Sequence, residues 1–225
     1  MVNKLSMSSI GKKLVMSISG AFLVLFLAFH MCMNLVLVFD AEAYNAVCGF
    51  LGANWYAVAG TVVLAAGVGI HFICAIILSI QNLKARGNIR YAVTVKEQGV
   101  EWSSKNMLVL GIVVVLGLLV HLVHFWSKMQ LVELMGMHEN SLGLSPTEGA
   151  ALVQYTFSKL CNVIIYIVWL VALWFHLTHG VWSMLHTAGL NNKRWMKFLK
   201  CFSKVVATII VGGFIVTVLA IYIGQ

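Results

Sequence analysis

The sequence predicts an all-α integral membrane protein, a bundle of five transmembrane helices, from its composition and the spacing of its apolar runs. Of its 225 residues, 61% are hydrophobic and 10% are charged, the mean hydropathy is +0.94, and the chain has one proline. Soluble domains of this length do not normally have such a composition. Five apolar runs can cross the roughly 30 Å hydrocarbon layer, which takes about 20 helical residues. We place these spans near 14–39, 55–81, 107–127, 160–187 and 205–223.

The first span resembles a signal peptide only in its position. Its apolar run is much longer than the roughly 7–15 residues of a signal-peptide core. We therefore expect it to be retained. Because no repeat or low-complexity region separates the spans, we predict that residues 1–225 form a single transmembrane domain.

Basic residues predict the orientation of the bundle. Of the 15 lysines and arginines, all except Lys128 and Lys159 lie in the N-terminal tail or in the segments after spans two and four. Cytoplasmic loops are enriched in basic residues, so we expect the N-terminus in the cytoplasm and the C-terminus outside. The formal net charge of +8 then follows from topology and requires no nucleic acid partner.

The connections between the spans carry some order of their own. Residues 41–54 place Tyr44 and Val47 on one helical face, which predicts a short interfacial helix on the outer side. Ser145 to Glu148 has the form of a capping box with proline at the first helical position, which predicts a second short helix before span four. On the inner side, the polar segment 82–106 is the expected docking surface for a soluble partner.

Histidines are concentrated in the spans and at their ends. An ionisable residue within the bilayer is costly, so each is a candidate functional residue, although a single one can simply hydrogen-bond a neighbouring helix. Seven of the eight histidines lie in or beside the spans, namely His30, His71, His121, His124, His176, His179 and His186.

One histidine from each of the first four spans falls at one of two depths. With a helical rise of about 1.5 Å per residue, His30 and His121 lie roughly 10–15 Å from the outer boundary of the bilayer. His71 and His176 lie at roughly 24–26 Å. Spans one and three therefore supply an outer pair, and spans two and four supply an inner pair.

Paired imidazoles from different helices at one depth suit a six-coordinate haem iron in the core of a bundle. A flat porphyrin also needs small residues one turn from a ligand on the same face. This favours His121 over His124 and His176 over His179, although close helix packing explains such glycines equally well. The glycines in question are Gly67 before His71, Gly117 before His121 and Gly180 after His176.

Two haems stacked across a membrane form an electron path between its faces. The five cysteines include no C-x-x-C pair, so the sequence encodes neither an iron–sulfur cluster nor a covalent haem site. No segment resembles a dehydrogenase or flavin module. We therefore expect the chain to be one subunit of a larger redox enzyme.

Four segments carry a resemblance to a known family. The most specific pieces are the A-E-A-Y-N motif after His30 and the H-x3-G-x-W pattern of His176, Gly180 and Trp182. With the five-span layout, they resemble the di-haem cytochrome b membrane anchor of succinate:quinone oxidoreductases and quinol:fumarate reductases, the five-helix, single-anchor type. The segments are FLAFHMCMNLVLVFDAEAYNAVCGF (26–50), GVGIHFICAIILSIQNLKARG (67–87), LGLLVHLVHFW (116–126) and WFHLTHGVWSMLHTAGL (174–190).

The resemblance implies a cofactor set and partners. It implies two haem b groups, with His30 and His121 on the outer iron and His71 and His176 on the inner iron, and a quinone, expected to be menaquinone. It also implies a flavoprotein subunit and an iron–sulfur subunit on the cytoplasmic face of a bacterial inner membrane. Electrons would pass between quinone and the succinate/fumarate couple, whose dicarboxylate chemistry belongs to another subunit.

Two alternatives remain at the level of the sequence. One is the cytochrome b subunit of a hydrogenase, formate dehydrogenase or nitrate reductase, which usually places two ligands on one helix. The other is a transporter without redox function whose histidines carry protons.

Residues near the inner boundary are candidates for contacts with haem propionates. These are Lys84, Arg86, Lys193, Arg194 and His186.

Overall fold

The described part of the chain is helical. The computed structural model describes residues 9–86, 102–190 and 192–224, and within these ranges it contains no strand. The helices are α1 (Ser9–Phe39), α2 (Ala41–Phe50), α3 (Trp55–Arg86), α4 (Trp102–Lys105), α5 (Met107–His124), α6 (Gln130–Leu134), α7 (Gly149–Phe157), α8 (Leu160–Thr187) and α9 (Lys193–Ile223), with a 3-10 turn at Trp126–Lys128.

Five of these helices are long and apolar enough to cross a membrane, which confirms the predicted number of spans. They are α1, α3, α5, α8 and α9. The last begins at Lys193, before the predicted start at 205, because the side chain of Asn192 caps it by accepting a hydrogen bond from the Trp195 amide at 2.9 Å. The polar first turns of α9 therefore extend the membrane-spanning helix beyond its apolar run, into the membrane–water interface.

The two predicted short helices correspond to α2 and α7. The α2 helix is confirmed, and the Asp40 carboxylate caps it by accepting from the Glu42 and Ala43 amides at 2.8 and 3.0 Å. The predicted start of α7 at Pro146 is wrong, because the helix begins at Gly149. Glu148 accepts from the Ser145 amide at 3.0 Å, as a capping box requires, but this contact closes a turn ahead of the helix.

Polar contacts join the short helices into one layer across one end of the bundle, which we call the α2 end. The Glu133 carboxylate accepts from the Ala53 amide at 2.8 Å. The buried amide of Gln130 donates to the Gly52 carbonyl at 3.0 Å and accepts from the Thr61 hydroxyl at 2.8 Å. These bonds satisfy polar groups that would otherwise be buried without partners.

The opposite end, which we call the basic end, contains most of the described basic residues. Lys12 and Lys13 lie at the start of α1, Lys84 lies near the end of α3, and the 193–204 segment of α9 contributes five more. The α8 helix ends here because Gly189 adopts a φ of +104°, which lets the Leu190 amide bond the Leu185 carbonyl at 3.2 Å. Most of the predicted docking segment, 87–101, lies outside the described residues.

Helix α8 is the centre of the bundle. One of its faces, which includes Tyr166, Leu170 and Leu177, is buried against Ala207 and Ile210 of α9 in the largest apolar cluster. It also packs on α1 and α5. In contrast, α3 packs mainly on α1, and none of the described side chains of α3 is buried. The His71 side chain is therefore carried by the most peripheral membrane helix.

The α8–α9 interface gives a test of the packing. Ala207 has no exposed surface, so Ala207→Leu should force the helices apart and destabilise the protein by about 1–3 kcal/mol. Val205→Leu is the matched control, because Val205 is 50% exposed on the outer surface of the same helix. We expect the thermal midpoint in detergent to fall only for Ala207→Leu. Equal midpoints for both variants would contradict the interface.

The α2 end gives a test by pH. Burial raises the pKa of the Cys48 thiol from its ordinary value to about 11, with the Tyr44 hydroxyl beside it. Only the thiolate is alkylated, so at pH 8 about one Cys48 in a thousand is reactive. Labelling by iodoacetamide, followed by peptide mass spectrometry, should therefore rise about tenfold per pH unit up to pH 10. A plateau near pH 9 would show that the thiol is not buried.

Candidate functional site

The outer histidines meet between α1 and α5. The ring centroids of His30 and His121 are 5.8 Å apart, and the ring planes are nearly perpendicular, at 82°. Aromatic side chains surround this pair: Phe26 stacks on His30 at 5.5 Å, Phe214 of α9 lies 5.7 Å from His30, and Trp169 of α8 lies 5.9 Å from His121. The two imidazoles therefore lie in a largely apolar environment.

The inner histidines meet between α3 and α8. The ring centroids of His71 and His176 are 6.4 Å apart, with an angle of 64° between the planes. The Ser19 hydroxyl of α1 lies 3.2 Å from His71 Nδ1. The Nδ1 atom of His176 is buried and, within the described part of the chain, has no hydrogen-bond partner.

The two pairs lie at different levels of the bundle. Ser19, which contacts His71, precedes His30 by eleven residues on α1, and Gly111, which faces His176, precedes His121 by ten on α5. At about 1.5 Å per residue, these spacings separate the two levels by roughly 15 Å along the helix axes. The described residues contain no cluster of three or more histidine, cysteine or acidic side chains suited to a metal ion.

The centroid separation in each pair is close to that of two imidazoles bound to one metal ion. A metal bonded at about 2 Å to one nitrogen of each ring separates the ring centroids by roughly 6 Å. The observed separations are 5.8 and 6.4 Å, and the rings come from different helices in both cases. Apolar and aromatic neighbours suit a cofactor bound in the core of a helix bundle.

The three glycines predicted to make room for a porphyrin have different surroundings. A Cβ atom at Gly117 would overlap the Trp169 indole, and one at Gly67 would lie 2.8 Å from the Phe22 ring. These two positions therefore accommodate aromatic side chains of neighbouring helices. Only Gly180 of the three has no atom within 4 Å of its Cβ position.

Sequence reasoning missed the small residues that lie against the inner histidines. A Cβ atom at Gly20 would lie 3.4 Å from His71 Cε1, and one at Gly111 would lie 3.9 Å from His176 Cε1. Both glycines are on neighbouring helices, whereas the prediction considered only the helix of each ligand. Depth alone could not have identified them, because counting along a helix gives the level of a residue and not the neighbour that its face meets.

The remaining histidines of the spans have aromatic partners. His124 Nδ1 lies 3.2 Å from the Tyr166 hydroxyl, with the two rings stacked. His179 and His186 each lie against Trp182 of their own helix, with ring-centroid distances of 5.0 and 6.1 Å. The Lys200 ammonium lies 5.2 Å from the same indole.

The basic candidates for propionate contacts are described only in part. Lys84 and Arg194 are exposed at the basic end. The side chains of Arg86 and Lys193 lie outside the described part of the structure. These positions stay predictions.

Comparisons with protein families, curated proteins and solved structures gave no match to this chain.

The Trp169 indole gives a test of the outer level. It donates to the Val114 carbonyl at 3.0 Å and fills the space over Gly117. We expect Gly117→Ala to displace the indole and lower the thermal midpoint, because overpacking destabilises a protein by about 1–3 kcal/mol. This loss is larger than the stability that the higher helix propensity of alanine adds. Gly69→Ala is the control, because nothing lies within 4 Å of its Cβ position. Equal stability of the two variants would contradict the packing around His121.

Proposed function

We propose that this chain is the membrane anchor and electron-transfer subunit of a succinate dehydrogenase or fumarate reductase complex. The observation that carries the proposal is the meeting of four imidazoles in two pairs, at two levels, between different helices. Each pair would hold one haem b, with His30 and His121 on one iron and His71 and His176 on the other. The resemblance of the sequence to the di-haem anchors supplies the rest of the assignment.

A bound haem supplies one-electron transfer at each level. The residues of the chain would provide the ligands of each haem and the apolar surroundings in which it lies. The four imidazoles come from four helices, so the ligand geometry depends on how the bundle packs. Phe26, Phe214 and Trp169 exclude water from the outer level, and a low local dielectric is one of the means by which a protein sets a haem potential.

The two ends of the bundle suggest its orientation and its partners. We place the basic end in the cytoplasm of a bacterium, because basic residues concentrate there, and the α2 end on the outside. The flavoprotein and iron–sulfur subunits would dock at the basic end. Electrons would pass between the iron–sulfur subunit, the inner level, the outer level and a quinone, expected to be menaquinone.

The composition of the native complex tests this assignment. The chain should be purified from its native membrane in mild detergent and the accompanying subunits identified by mass spectrometry. We expect a flavoprotein, an iron–sulfur protein and quinone-linked turnover of succinate or fumarate. Copurification with hydrogenase, formate dehydrogenase or nitrate reductase subunits would replace this assignment. A protein with no b-type absorption band and no redox partner would support the transporter instead.

The neighbouring residues His176 and His179 provide a matched test of the ligand set. His176 faces His71, whereas His179 packs on Trp182. We expect His176→Ala to lose one of two haems and His179→Ala to keep both, as measured by reduced-minus-oxidised difference spectra of the purified protein. Loss of a haem from the His179 variant, with both retained in the His176 variant, would overturn the ligand assignment.

A further inference from the structure

The His71 ring has a hydroxyl partner on another helix. The Ser19 Oγ atom of α1 lies 3.2 Å from His71 Nδ1, and only 8% of Ser19 is exposed. The adjacent Gly20 brings the α1 backbone close to the same edge of the ring, because a Cβ atom there would lie 3.4 Å from Cε1 and 3.8 Å from Nδ1. The edge of the His71 ring that includes Nδ1 therefore contacts α1.

Counting protons assigns the direction of this hydrogen bond. A serine hydroxyl has one proton and two acceptor lone pairs. Ser19 donates its proton to the Met16 carbonyl at 3.1 Å, so its oxygen is left to accept from the His71 ring. The hydrogen bond to Ser19 therefore requires a proton on His71 Nδ1.

We infer that Ser19 is a positioning residue, which holds neutral His71 with its proton on Nδ1 and leaves Nε2 unprotonated. The hydrogen bond made by one ring nitrogen decides which nitrogen is free to bind a metal. Its relevance to iron rests on the function proposed above. Ser19 would thus prepare His71 as an Nε2 ligand before any haem is bound.

The other candidate ligands lack an equivalent partner among the described residues. His176 Nδ1 has no hydrogen-bond partner there. The Asn34 amide donates to the His30 carbonyl at 2.8 Å, and it lies 3.4 and 3.5 Å from the two ring nitrogens without selecting either. Substitution of Ser19 should therefore affect the inner level and leave the outer level unchanged.

The tautomer can be measured without haem. The full chain should be produced in haem-depleted cells with 15N-labelled histidine rings, and its ring nitrogens recorded by NMR at pH 8, with His71→Gln identifying the His71 signals. We expect His71 to be protonated at Nδ1 in the wild type and in Ser19→Thr, which keeps the hydroxyl. In Ser19→Ala we expect a shift towards protonation at Nε2.

Ser17→Ala is the matched control, because the Ser17 hydroxyl donates to the Lys13 carbonyl at 2.9 Å on the same helix. It should leave the His71 signals unchanged. Protonation of wild-type His71 at Nε2, or an unchanged tautomer in Ser19→Ala, would overturn the inference.

A second measurement connects the tautomer to haem. Purified variants should be titrated with haem, and their midpoint potentials recorded. We expect Ser19→Ala to weaken binding of one haem by about 10–100-fold and to shift one potential, with Ser19→Thr and Ser17→Ala similar to the wild type. Equal affinities and potentials in all four proteins would refute a role in haem binding. If the wild type binds no haem, the proposed function fails, and the NMR result still decides the tautomer.

Discussion

Polar groups inside a bilayer must find partners within the protein, because hydrocarbon offers none. The bundle meets this requirement with a few contacts between helices. The Trp169 indole donates to a carbonyl of α5, and the buried Ser203 hydroxyl of α9 lies within hydrogen-bonding distance of two α8 carbonyls. His71 of peripheral α3 makes such a contact with Ser19 of α1 and lies against His176 of α8, whose Nδ1 atom has no hydrogen-bond partner within the described part of the chain.

Much of the fold could be predicted because the bilayer restricts it so strongly. The span at 160–187 coincides with α8, since Lys159 and the glycine turn at Gly189 bound its apolar run. Boundaries were less predictable where polar turns extend a membrane helix, as at Lys193, or where a capping pattern closes a turn instead of a helix, as at Ser145. In both cases the outcome depends on local hydrogen bonds that composition does not reveal.

The candidate site was also predictable only in part. Depth along each span depends only on helical rise, and it groups together the histidines that the structure places 5.8 and 6.4 Å apart. Which side chains fill the space beside a ring depends on helix packing. Gly117 therefore lies under Trp169, while Gly20 and Gly111, on neighbouring helices, face the inner rings. Ser19 escaped notice because a single serine in a membrane helix most often bonds its own backbone.

The central claim is that each imidazole pair holds one haem. The most direct test is the ratio of haem to protein in the full chain, purified after expression with excess haem, for the wild type, His30→Ala, His71→Ala and the double variant. The account predicts two haems per chain in the wild type, one in each single variant and none in the double variant. A wild type without haem, or single variants that keep both haems, would contradict it.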